Sequence, residues 1–162
     1  MKQTTTRRQF LQRTSEASAI FAAATALGGV HVFANEAPDK VRLGIIGCGS
    51  IMTHHVKGLV SRKESVSIPW LCDVDPAQIH SMKSHVTGDF QTAPPKHTER
   101  FEDVIEDKDV DAVIIATPHH WHAPIALRAM QAGKDVYIEK PISHVFNEGP
   151  LIIAAAKKYN RV

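Results

Sequence analysis

Four short groups of residues could act on one ligand, and each follows an apolar run. The first is Gly47-Cys48-Gly49-Ser50-Ile51-Met52. Gly47 would allow a tight turn, and Gly49 would let the backbone approach a pyrophosphate. The amides that open the next helix, at Ser50 and Ile51, would face that negative charge. A plain strand-to-helix turn fits the same residues. The third position of the dinucleotide fingerprint is Met52, not Gly or Ala, which predicts a helix packed further from its strand than in the tightest form. The second group is Asp73, 24 residues after Gly49. A carboxylate there would accept hydrogen bonds from adenosine ribose hydroxyls and repel a 2′-phosphate. No Arg or Lys follows within Val74-Asp75-Pro76 to receive that phosphate, so the spacing favours NAD over NADP. A solvated strand-end cap is the alternative for Asp73.

The third group is Thr117-Pro118-His119-His120-Trp121-His122. Three histidines in four positions suggest zinc, yet no cysteine or carboxylate ligand adjoins them and neighbouring histidines usually point apart. The expectation is a cofactor-lining loop, with Trp121 and His122 closing over the ring system and no metal. The fourth is Glu139-Lys140-Pro141. A lysine at a strand's carboxyl end can reach both nicotinamide and substrate, to orient a hydroxyl or move its proton. A surface Glu-Lys pair is the alternative reading. His54 and His55, on the first predicted helix, receive no role beyond the surface or the crevice edge.

Positioning these groups requires an alternation of strands and helices. Val41–Gly47 reads as a buried first strand, and residues 50 to about 61 as the first helix. Val66–Asp73 reads as the second strand, with Pro69 predicting an irregular or bulged start. Asp75 caps a second helix that has Pro76 at its first position and runs to about Val86. Gly88–Thr98 reads as a loop leading to a short third strand, and Phe101–Glu106 as a brief helix. Asp111–Thr117, a β-branched run, is the clearest strand. Pro124–Ala132 reads as a helix, Lys134–Ile138 as the fifth strand, and residues 148–159 as a last helix capped by Asn147. Strands separated by helices predict a doubly wound α/β domain with a parallel sheet, whose crevice lies beyond the carboxyl ends of the strands.

Composition is that of an ordinary soluble domain, with 43% hydrophobic and 22% charged residues in 162. The net charge of +2 sits partly in the N-terminal tail, which leaves no basic field for nucleic acid. Cys48 and Cys72, the two cysteines, adjoin apolar runs and read as buried free thiols, with a disulfide as the alternative. Residues 1–34 read as a leader. A basic segment without acids precedes the mild apolar stretch Ala17–Leu27, which is too short and weak to span a membrane stably. Val32-Phe33-Ala34 suits cleavage after Ala34, and Thr6-Arg7-Arg8-Gln9-Phe10-Leu11 resembles the twin-arginine motif. The expectations are export through the twin-arginine translocase, a periplasmic or otherwise exported protein, and a domain over residues 35–162. An amphipathic N-terminal helix packed on the domain is the alternative.

Together these segments resemble the glucose–fructose oxidoreductase / inositol dehydrogenase (Gfo/Idh/MocA) family over residues 40–162. The resemblance is most specific in Asp111-Ala-Val-Ile-Ile-Ala-Thr-Pro-His-His-Trp-His-Ala-Pro124 and in Ala132-Gly-Lys-Asp-Val-Tyr-Ile-Glu-Lys-Pro141. It implies a Rossmann fold in which Gly47, Gly49, Ser50 and Ile51 line the pyrophosphate and Asp73 the ribose. Thr117, Pro118 and His122 would then lie near the nicotinamide, and Lys140 would contact cofactor and substrate hydroxyl. It also implies a sixth strand and a second α/β domain carrying the substrate site and an acid/base Asp and His. The sequence stops at Arg161-Val162, where that strand would begin, so the expectation is a fragment or a cofactor-binding module. The implied activity is NAD-dependent hydride transfer to or from a sugar or polyol, by a homo-oligomer when full length. Two alternatives are an NAD-dependent glycoside hydrolase of the same superfamily and a non-catalytic nucleotide-binding fragment.

Overall fold

The structure is a computed structural model, and it describes residues 40–162. The leader expected over residues 1–34 lies outside the described residues. Five parallel strands form one sheet: β1 (Val41–Ile46), β2 (Val66–Cys72), β3 (Lys96–Thr98), β4 (Ala112–Ile115) and β5 (Asp135–Ile138). Their spatial order is β3-β2-β1-β4-β5. The chain therefore winds outward from β1 in one direction, then crosses back to β4 and winds in the other. That reversal places a crevice between β1 and β4 at their carboxyl ends. The doubly wound α/β fold expected from the sequence is the one observed.

Alternation along the strands sorts side chains to two faces. Ile45 and Ile114 turn to one face, where they meet Met52 and Val56 of α1 (Ser50–Leu59) and Met82 of α2 (Pro76–His85). Ile46, Val113 and Ile115 turn to the other. There they pack on α3 (Phe101–Glu106), α4 (His122–Gln131) and α5 (Glu148–Tyr159). Each layer removes a set of Ile, Val, Leu and Met side chains from water, worth about 1.5–3 kcal/mol apiece relative to exposure. Among the described residues, no helix is long and apolar enough to cross a membrane.

Local signals explain most boundaries. Asp75 accepts a hydrogen bond from the Ala77 amide at 2.9 Å, capping α2 ahead of Pro76. The irregularity expected at Pro69 is present. Between Arg42 and Gly44 β1 advances two residues while β2 advances three, from Ser67 to Trp70. Gln91 supports that bulge, accepting from the Ile68 amide at 2.9 Å and donating to the Ile68 carbonyl at 3.1 Å.

Three sequence readings are corrected. Gly88–Thr98 is not loop throughout: Val86–Phe90 forms a π-helical turn that buries Phe90 in the core, and β3 occupies Lys96–Thr98. Helix α4 starts at His122 rather than Pro124, because the 3₁₀ turn His119–Trp121 runs directly into it. Asn147 makes no capping bond. Glu148 instead takes the amides of His144 and Val145 at 2.7 and 3.2 Å.

Candidate functional site

A cleft of about 510 Å³ opens at the carboxyl ends of β1, β2 and β4. Gly47 and Gly49, Asp73, and Thr117, Pro118 and Trp121 all line it. Sequence positions far apart thus meet in one place because β1, β2 and β4 are adjacent in the sheet.

The glycines differ in their reasons. Gly47 has φ +90°, and a Cβ there would sit 2.7 Å from the Ala116 backbone, so both conformation and contact demand glycine. A Cβ on Gly49 would meet nothing within 4 Å, which leaves the space over the turn open. Gly49 precedes α1 with no side-chain cap, so the helix's first amides point outward without a protein acceptor from a side chain. Ser50 and Ile51, at this helix start, are exposed. Such an end attracts an anion. Met52, the departure from the glycine pattern, is fully buried against the sheet, so a side chain makes the helix-to-strand contact there.

Asp73 holds the loop together. Its carboxylate accepts from the Cys48 amide at 2.7 Å and from the Asp75 amide at 3.0 Å. One oxygen takes each amide, and each keeps a lone pair for a further donor. Cys48 and Cys72 flank this site as free, buried thiols. Cys48 packs on the α1–α2 face and Cys72 on the α3–α5 face. Burial, with the Asp73 charge adding to it, pushes both thiols up to about 12. They are inert as nucleophiles.

Thr117, two residues past β4, has a buried hydroxyl with no hydrogen-bond partner among the described residues. Leaving such a group unsatisfied costs about 1–3 kcal/mol, and other atoms of the residue line the cleft. Phe101 and Trp121 place aromatic rings 6.3 Å apart along the same wall.

His122 behaves differently from the expectation that it closes over a ring. It is 1% exposed, with Nδ1 2.8 Å from the Pro141 carbonyl and Nε2 2.9 Å from the Thr117 carbonyl. The imidazole lies between the β4 and β5 turns, and the N–H of a neutral ring donates to one of these two carbonyls, the tautomer deciding which. Trp121 is half-exposed and remains available to the cleft. His119, His120 and His144 are exposed, with the rings of His119 and His144 centred 4.7 Å apart. Among the described residues no three His, Cys, Asp or Glu side chains are grouped to hold a metal.

Glu139 and Lys140 follow β5 and stand beside the cleft rather than in its wall. His55, given no role from sequence, donates to Glu139 Oε1 at 2.6 Å across 84 residues. Its ring lies edge-on to Tyr137, with centroids 5.4 Å apart. The His55 hydrogen bond is the main cause holding the Glu139 carboxyl below its usual range. The Lys140 amide also donates to Glu139, at 3.2 Å. Glu139 thus links α1 to the turn that carries Lys140, whose ammonium forms no hydrogen bond among the described residues. Spacing alone could not reveal this pair, since no local pattern joins residues 55 and 139.

Known proteins share this fold. Residues 41–162 match the model of the Gfo/Idh/MocA oxidoreductase family, NAD-binding Rossmann fold. A glycosyl hydrolase family 109 protein of Shewanella pealeana is 33% identical over 123 residues, covering 74% of this chain and 27% of that protein. The WlbA dehydrogenase of Chromobacterium violaceum, solved with NADH and UDP-GlcNAcA, superposes with TM-score 0.68 at 27% identity, covering 76% of this chain and 34% of that one. Myo-inositol 2-dehydrogenase of Lactobacillus plantarum does so with TM-score 0.65 at 26% identity, covering 76% and 35%. The chain spans about a quarter of the length of the curated relatives it matches. The uncapped start of α1, the open space over Gly49 and the unsatisfied Thr117 hydroxyl fit the cofactor named by that family. The chain belongs to the Gfo/Idh/MocA oxidoreductase family and comprises its NAD-binding Rossmann domain.

Proposed function

We propose that residues 35–162 form the NAD-binding half of an exported sugar or polyol oxidoreductase. The observation that carries this reading is the cleft at the reversal of the sheet, lined by Gly47, Gly49, Asp73 and Thr117. NAD, when bound, supplies a nicotinamide ring that exchanges hydride with a substrate carbon. The chain's residues do the positioning. The amides of Ser50 and Ile51 receive the pyrophosphate, and Gly49 leaves room for it. The remaining lone pairs of Asp73 accept the ribose hydroxyls, and its charge disfavours a 2′-phosphate. Thr117 and Pro118 bound the nicotinamide side. Lys140, steadied through Glu139 by His55, orients the substrate hydroxyl and its proton. Substrate contacts and the acid/base pair come from a second domain, as the family resemblance implies. Residues 1–34 direct the folded protein through the twin-arginine translocase, and the full-length protein is a homo-oligomer.

The names of the curated relatives lend weaker support to a second reading, an NAD-dependent glycoside hydrolase. There the cofactor is reduced and reoxidised within one turnover, so NADH does not accumulate. Incubating the full-length protein with NAD and a panel of sugars, polyols and aryl glycosides separates the two. Net NADH supports the oxidoreductase. Released aglycone without net NADH supports the hydrolase and overturns the first reading. Replacing Arg7 and Arg8 with Lys tests export: the precursor should stay inside the cell.

A further inference from the structure

Asp73 accounts for only one side of adenosine recognition, and the turn after β3 supplies another. Backbone bonds fix that turn beside Asp73. The Asp73 amide donates to the Thr98 carbonyl at 3.3 Å, and the Arg100 amide donates to the Thr98 hydroxyl at 3.1 Å. Arg100 therefore has a fixed backbone but a loosely held side chain. Its ion pair among the described residues is with Asp103, at 4.0 Å, and the side chain is 73% exposed. Asp103 meanwhile accepts a 2.6 Å hydrogen bond from the Thr98 hydroxyl. In the same cleft Val74 stands 82% exposed, an apolar side chain directly after the ribose-facing carboxylate.

An arginine so placed could pair with a 2′-phosphate or lie flat against a purine. Charge decides between them. Asp73, Glu99 and Glu102 line the cleft with Arg100, so a phosphate would meet three carboxylates and one guanidinium. An adenine face is uncharged and does not suffer that repulsion. The planar guanidinium suits such a face, and Val74 offers an apolar surface for the opposite one. Resting on the NAD reading above, the geometry points to Arg100 as a specificity residue that stacks on the adenine of NAD, with Val74 against the other face. The Val74-Asp75-Pro76 turn itself holds no cation. The pairing of β2 with β3 brings one from 27 residues beyond Asp73.

Calorimetric titration of the full chain with 5′-AMP, NAD, NADP and nicotinamide mononucleotide tests this. Arg100→Ala should weaken 5′-AMP and NAD equally, by about tenfold, and leave nicotinamide mononucleotide unchanged. Arg100→Lys keeps the charge without the plane and should recover little of the loss. A thermal melt unchanged in both variants shows that folding is intact, as expected for so exposed a side chain. Three results overturn the inference: no loss in Arg100→Ala, full recovery in Arg100→Lys, or a loss confined to NADP. Wild-type protein that takes up neither NAD nor 5′-AMP overturns the cofactor reading as well, whereas normal wild-type binding with an unaffected variant overturns the stacking alone.

Discussion

The two ends of the same sheet treat their polar groups in opposite ways. At the amino ends of β1, β4 and β5, charges are closed on the protein itself. Arg42 grips Asp111 with two nitrogens, at 3.0 and 2.7 Å, and reaches Asp109 at 2.8 Å. Lys134, 7% exposed, donates to the carbonyls of Asp107 and Val110, each at 2.7 Å. Asp107 takes the Trp70 indole and the Lys96 ammonium at 2.7 and 3.0 Å. At the carboxyl ends the Thr117 hydroxyl is unpaired, α1 lacks a side-chain cap, and the Arg100 side chain is loosely held. One end is completed by the chain, while the other, beside closed pairs such as His55–Glu139, keeps groups that a ligand can use. Stability and recognition are thus separated along the strands, and substitutions at each end should separate them too.

The largest effect is expected where the two demands coincide. Gly47→Ala forces a Cβ into the Ala116 backbone at a positive φ, and should cost about 3–4 kcal/mol of stability and abolish NAD uptake. Chemical denaturation with a parallel NAD titration measures both, and a variant of normal stability would contradict the turn geometry. Next comes the closed end. Lys134→Met removes two hydrogen bonds to buried carbonyls and should cost about 2–3 kcal/mol with NAD affinity unchanged. A matching drop in affinity would mean the ends are coupled. At the open end the signs should oppose each other. Thr117→Val removes an unsatisfied hydroxyl, so the ligand-free protein should gain about 1 kcal/mol while NAD binds about tenfold more weakly.

The smallest effect concerns pH. Hydrogen bonding by Arg42 is the main cause that lowers the Asp111 carboxyl below its usual range. A carboxylate lowered on folding stabilises the protein above its unfolded value, about 3.9, and that contribution is lost as pH falls through the folded value. Asp111→Asn should therefore lose less stability than wild type between about pH 5 and pH 3. Thermal melts across that range provide the check.

How much of this was legible in the sequence follows from the range of each interaction. Residues 101–106 form a helix as expected, and β1 and β4 lie within their apolar runs, because local pattern suffices there. The crevice followed from strand order, which alternation with helices implies. The Val86–Phe90 turn was missed because Gly88 and Asp89 mask the burial of Phe90. For His122 the sequence shows its neighbours, not which way its ring turns, and the ring is buried between two turns. His55–Glu139 and the approach of Arg100 to Asp73 arise only when strands pair, so no spacing rule could find them.

Cys48 and Cys72 give one more consequence, concerning how the domain reports its own opening. Their side chains occupy separate cores on opposite faces of the sheet, so a mutual crosslink would require one of them to leave its core. In an oxidising surrounding the folded domain therefore stays uncrosslinked, and a small thiol reagent reaches Cys48 only when its layer lifts away, whereas Cys72 borders the cleft. The labelling rate at Cys48 becomes a clock for opening of the α1–α2 face, while that at Cys72 reports access through the cleft.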